Sequence, residues 1–504
     1  MRRLNAHLTL LVLFCALQTA FAQDLASFEK RVHVKTLANG LTVLLLDRPQ
    51  APVFSFFTVV DAGDAQDPYG KTGLAHMMEH MAFKGTNEIG TTDFTAEKAA
   101  LARVEAAYAE YDRENSRVVN RDEKKIAELK AAWEKAREEA DQYVVKNEFP
   151  EIIERNGGVG LNASTSLDST QYFYSLPVNR LELWAYLESD RFLNPVMREF
   201  YKERDVVMEE RRMRTDSSPT GRLVEQFLSV AYDGSPYHRP NIGYASDLRH
   251  FSATDAANFF KTYYVPSNMV VAVVGDLDVD KTFALVDRYF GRIPSGPKPE
   301  EYITAQTKQT SERRVTLHDP SQPFYVEGYQ KPNFRDKDDV VYSVISGVMS
   351  EGRTSRLYRA LVRDKKIAVA AAGFSGFPGD KYRNLYAFYA VPSQGHSATE
   401  MGAAIHEEIE KLKTDGVSPD ELKMVKTRSK AALLRSLANN QGLAINLAEN
   451  QLKYGDWREL FRRIDKIDAV TNEDVKRVAN EVFVESNRTV GILETKSAAK
   501  GARQ

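Results

Sequence analysis

The chain has 504 residues, 43% of them hydrophobic, with 68 Lys and Arg against 70 Asp and Glu for a formal net charge of -2. So even a balance leaves no global basic footprint for nucleic acid, and beyond the N-terminal leader no apolar run is long enough to span a bilayer. The length exceeds that of one ordinary domain.

The leader comes first. Arg2 and Arg3 precede an apolar run from Leu8 to Leu17 and the small-x-small triplet Ala20-Phe21-Ala22, the pattern of a cleaved secretory signal. Residues 1–22 are therefore expected to be a signal peptide, which predicts a periplasmic or secreted protein. The single cysteine, Cys15, lies inside it, so the mature chain is expected to form no disulfide, no thiolate metal site and no cysteine-based active site. Val12-Leu13-Phe14 do not offer the small-residue context of a lipoprotein anchor.

Thr42 to Leu46 and Val53 to Val60 read as strands. After them His76, Met77, Met78, Glu79 and His80 spell H-x-x-E-H. On a helix, positions i and i+4 share a face, so His76 and His80 can offer imidazole nitrogens to one ion while Glu79 points near the same spot. A glutamate so placed can take a proton from water at the metal and pass it to a leaving amine. Catalytic zinc normally takes three protein ligands and keeps one position open, so a carboxylate must come from elsewhere. The best donor is the cluster Glu203-Arg204-Asp205-Val206-Val207-Met208-Glu209-Glu210, ending in Glu210. Glu209 points about 100° away from Glu210 around a helix, whereas Glu203 and Glu210 share a face two turns apart.

Between the two segments, from about Glu97 to Asn147, the chain is rich in Ala, Glu, Lys and Arg, with Asp122 to Ala136 strongly helical by propensity and a turn expected at Asn115 to Asn120. This predicts a helical hairpin too polar to be core on all sides, serving as a solvated spur, a contact surface or a gate beside a cleft. Further on, the strand Met269 to Val274 runs into the turn Gly275-Asp276-Leu277-Asp278. The Pro/Gly-rich stretch Ile293 to Pro299 then reads as a linker, with boundaries at 293–305. Beyond it, strands at Ser311 to Leu317, Phe324 to Tyr329 and Leu385 to Ala390 and helices at Ala398 to Leu412 and Asp420 to Ser436 repeat the earlier pattern. The expectation is an α+β fold of two related α/β-sandwich domains, 23–292 with the metal site and 306–504 without one. His406-Glu407-Glu408-Ile409-Glu410 lacks a second histidine, so one zinc per chain is expected.

Gly73-Leu74-Ala75-His76-Met77-Met78-Glu79-His80-Met81-Ala82-Phe83-Lys84-Gly85-Thr86 matches, almost residue for residue, the catalytic-helix signature of the pitrilysin/insulinase metallopeptidases. The opening strand pair at Leu37-Ala38-Asn39-Gly40-Leu41-Thr42-Val43, the segment Leu161-Asn162-Ala163 with Thr165, Asp168, Thr170 and Tyr172, and Tyr264-Val265-Pro266-Ser267-Asn268-Met269 also resemble that family, in particular its processing-peptidase-like bacterial branch. The resemblance implies a zinc endopeptidase acting on unfolded peptides. It implies His76, His80 and Glu210 as ligands, Glu79 as general base, Glu203 as a supporting carboxylate, and two domains walling a peptide cleft. Asn162 and Ala163 would lie on the strand that pairs with substrate, giving backbone recognition indifferent to side chains.

The chain departs from the family twice. Glu210 lies farther beyond His80 than the family pattern has it, and the surplus falls in the 97–147 stretch. In the segment where the family places an arginine and a tyrosine that steady the substrate carbonyl, Arg363 matches the arginine, but Val369 and Ala370 stand where the tyrosine belongs. Neither aliphatic side chain can donate a hydrogen bond to an oxyanion. Either the chain works with a reduced electrophilic apparatus or a related peptidase subunit supplies the Arg/Tyr pair. The alternative to an enzyme is a weakly active or non-catalytic subunit of a peptidase heterodimer.

Overall fold

A computed structural model describes residues 25–301 and 303–495. The leader expected over residues 1–22, with Cys15, lies outside the described residues. Two lobes, each a sheet covered by helices, enclose a cleft. The first sheet has the order β1-β2-β6-β3-β5-β4, built from β1 (Val32–Thr36), β2 (Thr42–Asp47), β3 (Val53–Val60), β4 (Val159–Thr165), β5 (Thr170–Pro177) and β6 (Met269–Gly275). The second has the order β7-β11-β8-β10-β9, from β7 (Arg313–Asp319), β8 (Phe324–Lys331), β9 (Ala368–Phe377), β10 (Asn384–Pro392) and β11 (Arg488–Thr495).

The pattern recurs over five strands of each sheet, of which β9 and β11 were not foreseen in the second. β2 runs parallel to β6 as β7 does to β11, and every other neighbouring pair in both sheets is antiparallel. β1 is the one strand of the first sheet without a counterpart. In both lobes a helix follows the second strand of the shared pattern: Leu74–Met81 after β3, and Asp339–Ser350 after β8. The first carries His76 and His80. The second, DVVYSVISGVMS, has no histidine, and the group able to hold a metal that is found among the described residues lies in the first lobe.

The lobes interlock, which explains why β2, β3 and β6 read as nearly continuous apolar runs. Val43, Leu45, Phe54 and Phe56 face the first lobe's own helices, including the metal-site helix. Leu44, Leu46, Phe57 and Val59 face the other way, onto Leu443, Leu447 and Trp457 from the second half of the chain. In return Leu223, Phe227 and Ala231 of the helix Pro219–Ala231 pack on Val326, Leu385 and Leu493 of the second sheet. Each sheet is thus buried on both faces, and the two lobes share a core.

The expected hairpin is two helices, Phe94–Asn115 and Glu123–Asp141. Asp93 and Asp122 accept backbone N–H bonds at their starts, so each begins where an Asp cap stands. Their outer faces are solvated, but Val104, Tyr108, Trp133, Ala136 and Ala140 join the main core of the first lobe.

Candidate metal centre

The metal-site helix is only eight residues long and starts at Gly73, whose φ of +96° excludes most side chains and whose Cβ position would meet Ile242 O at 2.5 Å. Gly73 has no side chain to cap the helix, and Asp67 does so instead: its Oδ2 accepts from Gly73 N at 2.6 Å and its Oδ1 from Ala75 N at 2.9 Å. Asp247 holds the preceding residue, accepting from Thr72 N at 3.1 Å and Thr72 Oγ1 at 2.8 Å. These two carboxylates fix the direction in which the helix presents its histidines.

The second contributor is the helix Phe200–Arg211, entered through Glu199 in the left-handed region at φ +55°. Its Glu210 Oε2 lies 3.6 Å from His76 Nε2 and 3.6 Å from His80 Nε2. The three ligand atoms all lie within 4.8 Å of one another. These separations are too long for hydrogen bonds, yet they match what a shared ion needs. Two ligand atoms each about 2.1 Å from a tetrahedral zinc stand roughly 3.4 Å apart. The imidazole planes, 89° apart with centroids separated by 5.0 Å, converge on that point without stacking. The donor set is the two-histidine, one-carboxylate set of a catalytic zinc with an open position. His76, His80 and Glu210 can therefore coordinate a single zinc ion.

The electrostatics suit it. Burial, then His80 and Arg214, lowers His76 to about 3, so it is a neutral ligand at physiological pH. Burial opposes a charge on His80 as well, but the hydrogen bond and charge of Glu203, with Glu79 and Glu210, raise it overall. Glu203 Oε2 lies 3.4 Å from His80 Nδ1, so the supporting carboxylate contacts the ring nitrogen facing away from the metal position. Lys84 Nζ in turn lies 2.5 Å from Glu203 and 3.1 Å from Glu199, and Arg214 contacts Glu210 at 3.1 Å. Glu209 faces solvent and pairs with Arg212 at 2.8 Å, as its helical phase requires.

Glu79 lies half-buried on the same helix, its carboxyl raised by burial against the opposing pull of Thr165 and His80. With His80 and Phe83 it borders a cavity of about 390 Å³ whose far wall includes Val144, Val145 and Pro150 from the chain leaving the hairpin. β4 is the edge of the sheet beside the metal-site helix, and it carries Asn162 and Ala163. Asn162 is exposed and its Oδ1 accepts from Ala163 N at 3.0 Å. Arg363 is not brought to this group: it is exposed and pairs with the adjacent Asp364 at 2.7 Å. Val369 is exposed on β9, and Ala370 beside it is opposite Val391 of β10. Lys84, Asp67, Asp247 and Arg214 were not singled out by sequence reasoning. Lys84 sits inside the signature segment, but the partners of the other three are set only by the fold.

Two family models match the chain: Insulinase (Peptidase family M16) over residues 42–119 and Peptidase M16 inactive domain over residues 250–429. The zinc protease PqqE of Helicobacter pylori is 29% identical over 467 residues, 91% of this chain and 92% of that protein. A probable mitochondrial-processing peptidase subunit beta of Arabidopsis thaliana is 24% identical over 476 residues, 92% of this chain and 78% of that one. The crystal structure of a protease from Helicobacter pylori superposes with a TM-score of 0.77 at 27% identity, over 92% of this chain and 99% of that one. With the His76, His80, Glu210 cluster, these likenesses support a zinc metalloendopeptidase.

Proposed function

We propose that this chain, which has the fold and the metal-binding cluster of an insulinase-family (M16) zinc metallopeptidase, cleaves unfolded peptide segments internally. The observation that carries the reading is the meeting of both Nε2 atoms on one oxygen of Glu210 at 3.6 Å, with Glu79 on the same helical turn. When bound, zinc supplies Lewis acidity toward a peptide carbonyl and toward water. Glu79 is the general base that takes the proton and returns it to the leaving amine, and the burial that raises its carboxyl strengthens it as a base. Glu203 holds the His80 ring through Nδ1. An extended peptide lies along β4, whose outer edge has no strand partner among the described residues, so that backbone groups near Asn162 and Ala163 pair with it. Glu79→Gln tests the mechanism: cleavage of an unfolded protein should fall by about 10² to 10⁴ while the variant keeps stoichiometric zinc. Cleavage at the wild-type rate would refute it.

The processing-peptidase-like branch and its heterodimeric habit form the finer reading, supported by the aliphatic pair Val369 and Ala370. One missing oxyanion donor costs about 3 kcal/mol, roughly a hundredfold in rate. The isolated chain should then be slow despite bound zinc, and a related chain carrying both arginine and tyrosine should restore the rate without changing zinc content. Rapid turnover by the isolated chain would rule this out. Placement outside the cytoplasm rests on the leader pattern, and a mature N-terminus at Gln23 is its test.

A further inference from the structure

The helical hairpin packs on the distal ligand helix rather than standing free, and it does so on the side away from the metal. Tyr201 and Arg204 occupy one face of the helix Phe200–Arg211, while Glu203 and Glu210, at 100° per residue, fall roughly on the opposite face. The hairpin closes over the first pair. Tyr108 and Trp133, one from each arm, approach the Tyr201 ring at 4.4 and 5.1 Å between centroids. The Arg204 guanidinium lies 5.0 Å from the Tyr108 centroid and 4.9 Å from that of Tyr201. Hydrogen bonds set the register: Arg204 Nη1 donates to Tyr108 Oη at 2.6 Å, and Tyr201 Oη donates to Glu105 Oε2 at 2.6 Å. A second tie lies at the helix entrance. Glu97, fully buried in the first arm, takes Arg198 at 2.6 and 2.8 Å, and the same guanidinium donates to Lys84 O, Thr86 O and Ile89 O on the chain leaving the metal-site helix.

We propose that the hairpin is a brace for the metal centre, with Trp133 and Tyr108 as positioning residues for Glu210. The inference rests on reading the cluster as a zinc site. A helix that slips by one residue moves about 1.5 Å along its axis, whereas metal–ligand distances tolerate about 0.2 Å. Glu210 reaches the two histidines from a helix held on its far side by aromatic rings and paired groups.

The test measures zinc affinity by chelator competition, together with thermal melting of the zinc-free protein, for the wild type and three variants. Trp133→Leu should weaken zinc binding about tenfold or more, and Trp133→Phe should recover most of it. Tyr108→Phe, which loses only a hydroxyl and carries the test if Trp133→Leu fails to fold, should weaken it severalfold. Variants that melt earlier yet bind zinc within twofold of wild type would show that the hairpin serves stability alone and overturn the brace. A wild type that binds no zinc would sink both this inference and the proposed function, whereas loss confined to the variants leaves the proposed function standing and supports the brace.

Discussion

Removing Glu203 is the perturbation whose size and pH dependence follow most directly from the geometry. Its carboxylate contacts His80 Nδ1 at 3.4 Å and Lys84 at 2.5 Å, with the side chain only 14% exposed. Glu203→Ala strands no cation, because Lys84 keeps Glu199 at 3.1 Å. What is lost is orientation and basicity of the His80 ring, and losing such a partner typically weakens metal binding about 10- to 100-fold, or ~1.4 to 2.8 kcal/mol. The loss should narrow in acid. Burial lowers His80, but Glu203 leads the groups that raise it overall, and any proton on that ring must leave before zinc binds. Above the raised pKa there is no proton to displace, and the full loss is read. Below it the wild type gives up affinity to protonation that the variant, with a lower His80 pKa, is spared. Competition against a chromophoric chelator at pH 6, 7 and 8 measures the ratio, with Glu203→Gln falling between because its amide oxygen still accepts from Nδ1–H. Unchanged affinity at all three pH values, or a ratio that widens toward pH 6, would refute the reasoning.

Three further outcomes are expected. Glu210→Ala should lose stoichiometric zinc after dialysis while Glu209→Ala keeps it, since Glu209 faces solvent with Arg212; metal analysis decides between them. Asp67→Ala leaves Gly73 N and Ala75 N without their acceptor in a buried place, which should cost about 2 kcal/mol in urea unfolding of the zinc-free protein, and an equally stable variant would show that the cap is idle. His76 is lowered to about 3 in the folded chain against 6.5 unfolded, so the unfolded state takes the proton first; stability is complete above about 6.5 and is lost as the pH falls toward 3. In the zinc-free protein that loss at pH 4.5 is about 3 kcal/mol, and His76→Gln should show correspondingly less change between pH 7 and 4.5 by chemical denaturation of the zinc-free chain.

The metal site was legible because its rules are local. The i, i+4 spacing of His76 and His80 and the helical phase that separates Glu210 from Glu209 need nothing beyond one helix each, and the structure brings these three ligands together. The strands were legible for the same reason: Val53 to Val60 and Met269 to Val274 carry their burial in their own composition. What periodicity does not state is which surface an apolar face will cover. Leu443 and Leu447 announce a buried helix side, but their contact with the first sheet, rather than the nearer second one, depends on how the lobes interlock. Asp67 is likewise an ordinary loop acid until the left-handed Gly73 turns two backbone N–H groups toward it.

The hairpin shows why polarity alone misleads. Its sequence is mostly charged, and charged helices are rightly read as solvated. Yet burial is decided by a few inner-face positions, here Val104, Tyr108, Trp133, Ala136 and Ala140. Tyr111 stacks on Trp133 at 5.4 Å and shields it. Glu97 is the harder case, since nothing near it in sequence distinguishes it from the surrounding glutamates, and its partner Arg198 is 101 residues away. A fully buried carboxylate persists only where a cation and further hydrogen bonds meet it, and Arg198 does so while also holding three carbonyls of the segment Lys84 to Ile89. The charge on Glu97 is therefore tied to the geometry between the two ligand-bearing helices, which makes the inserted segment part of the architecture of the metal centre rather than an ornament on its surface.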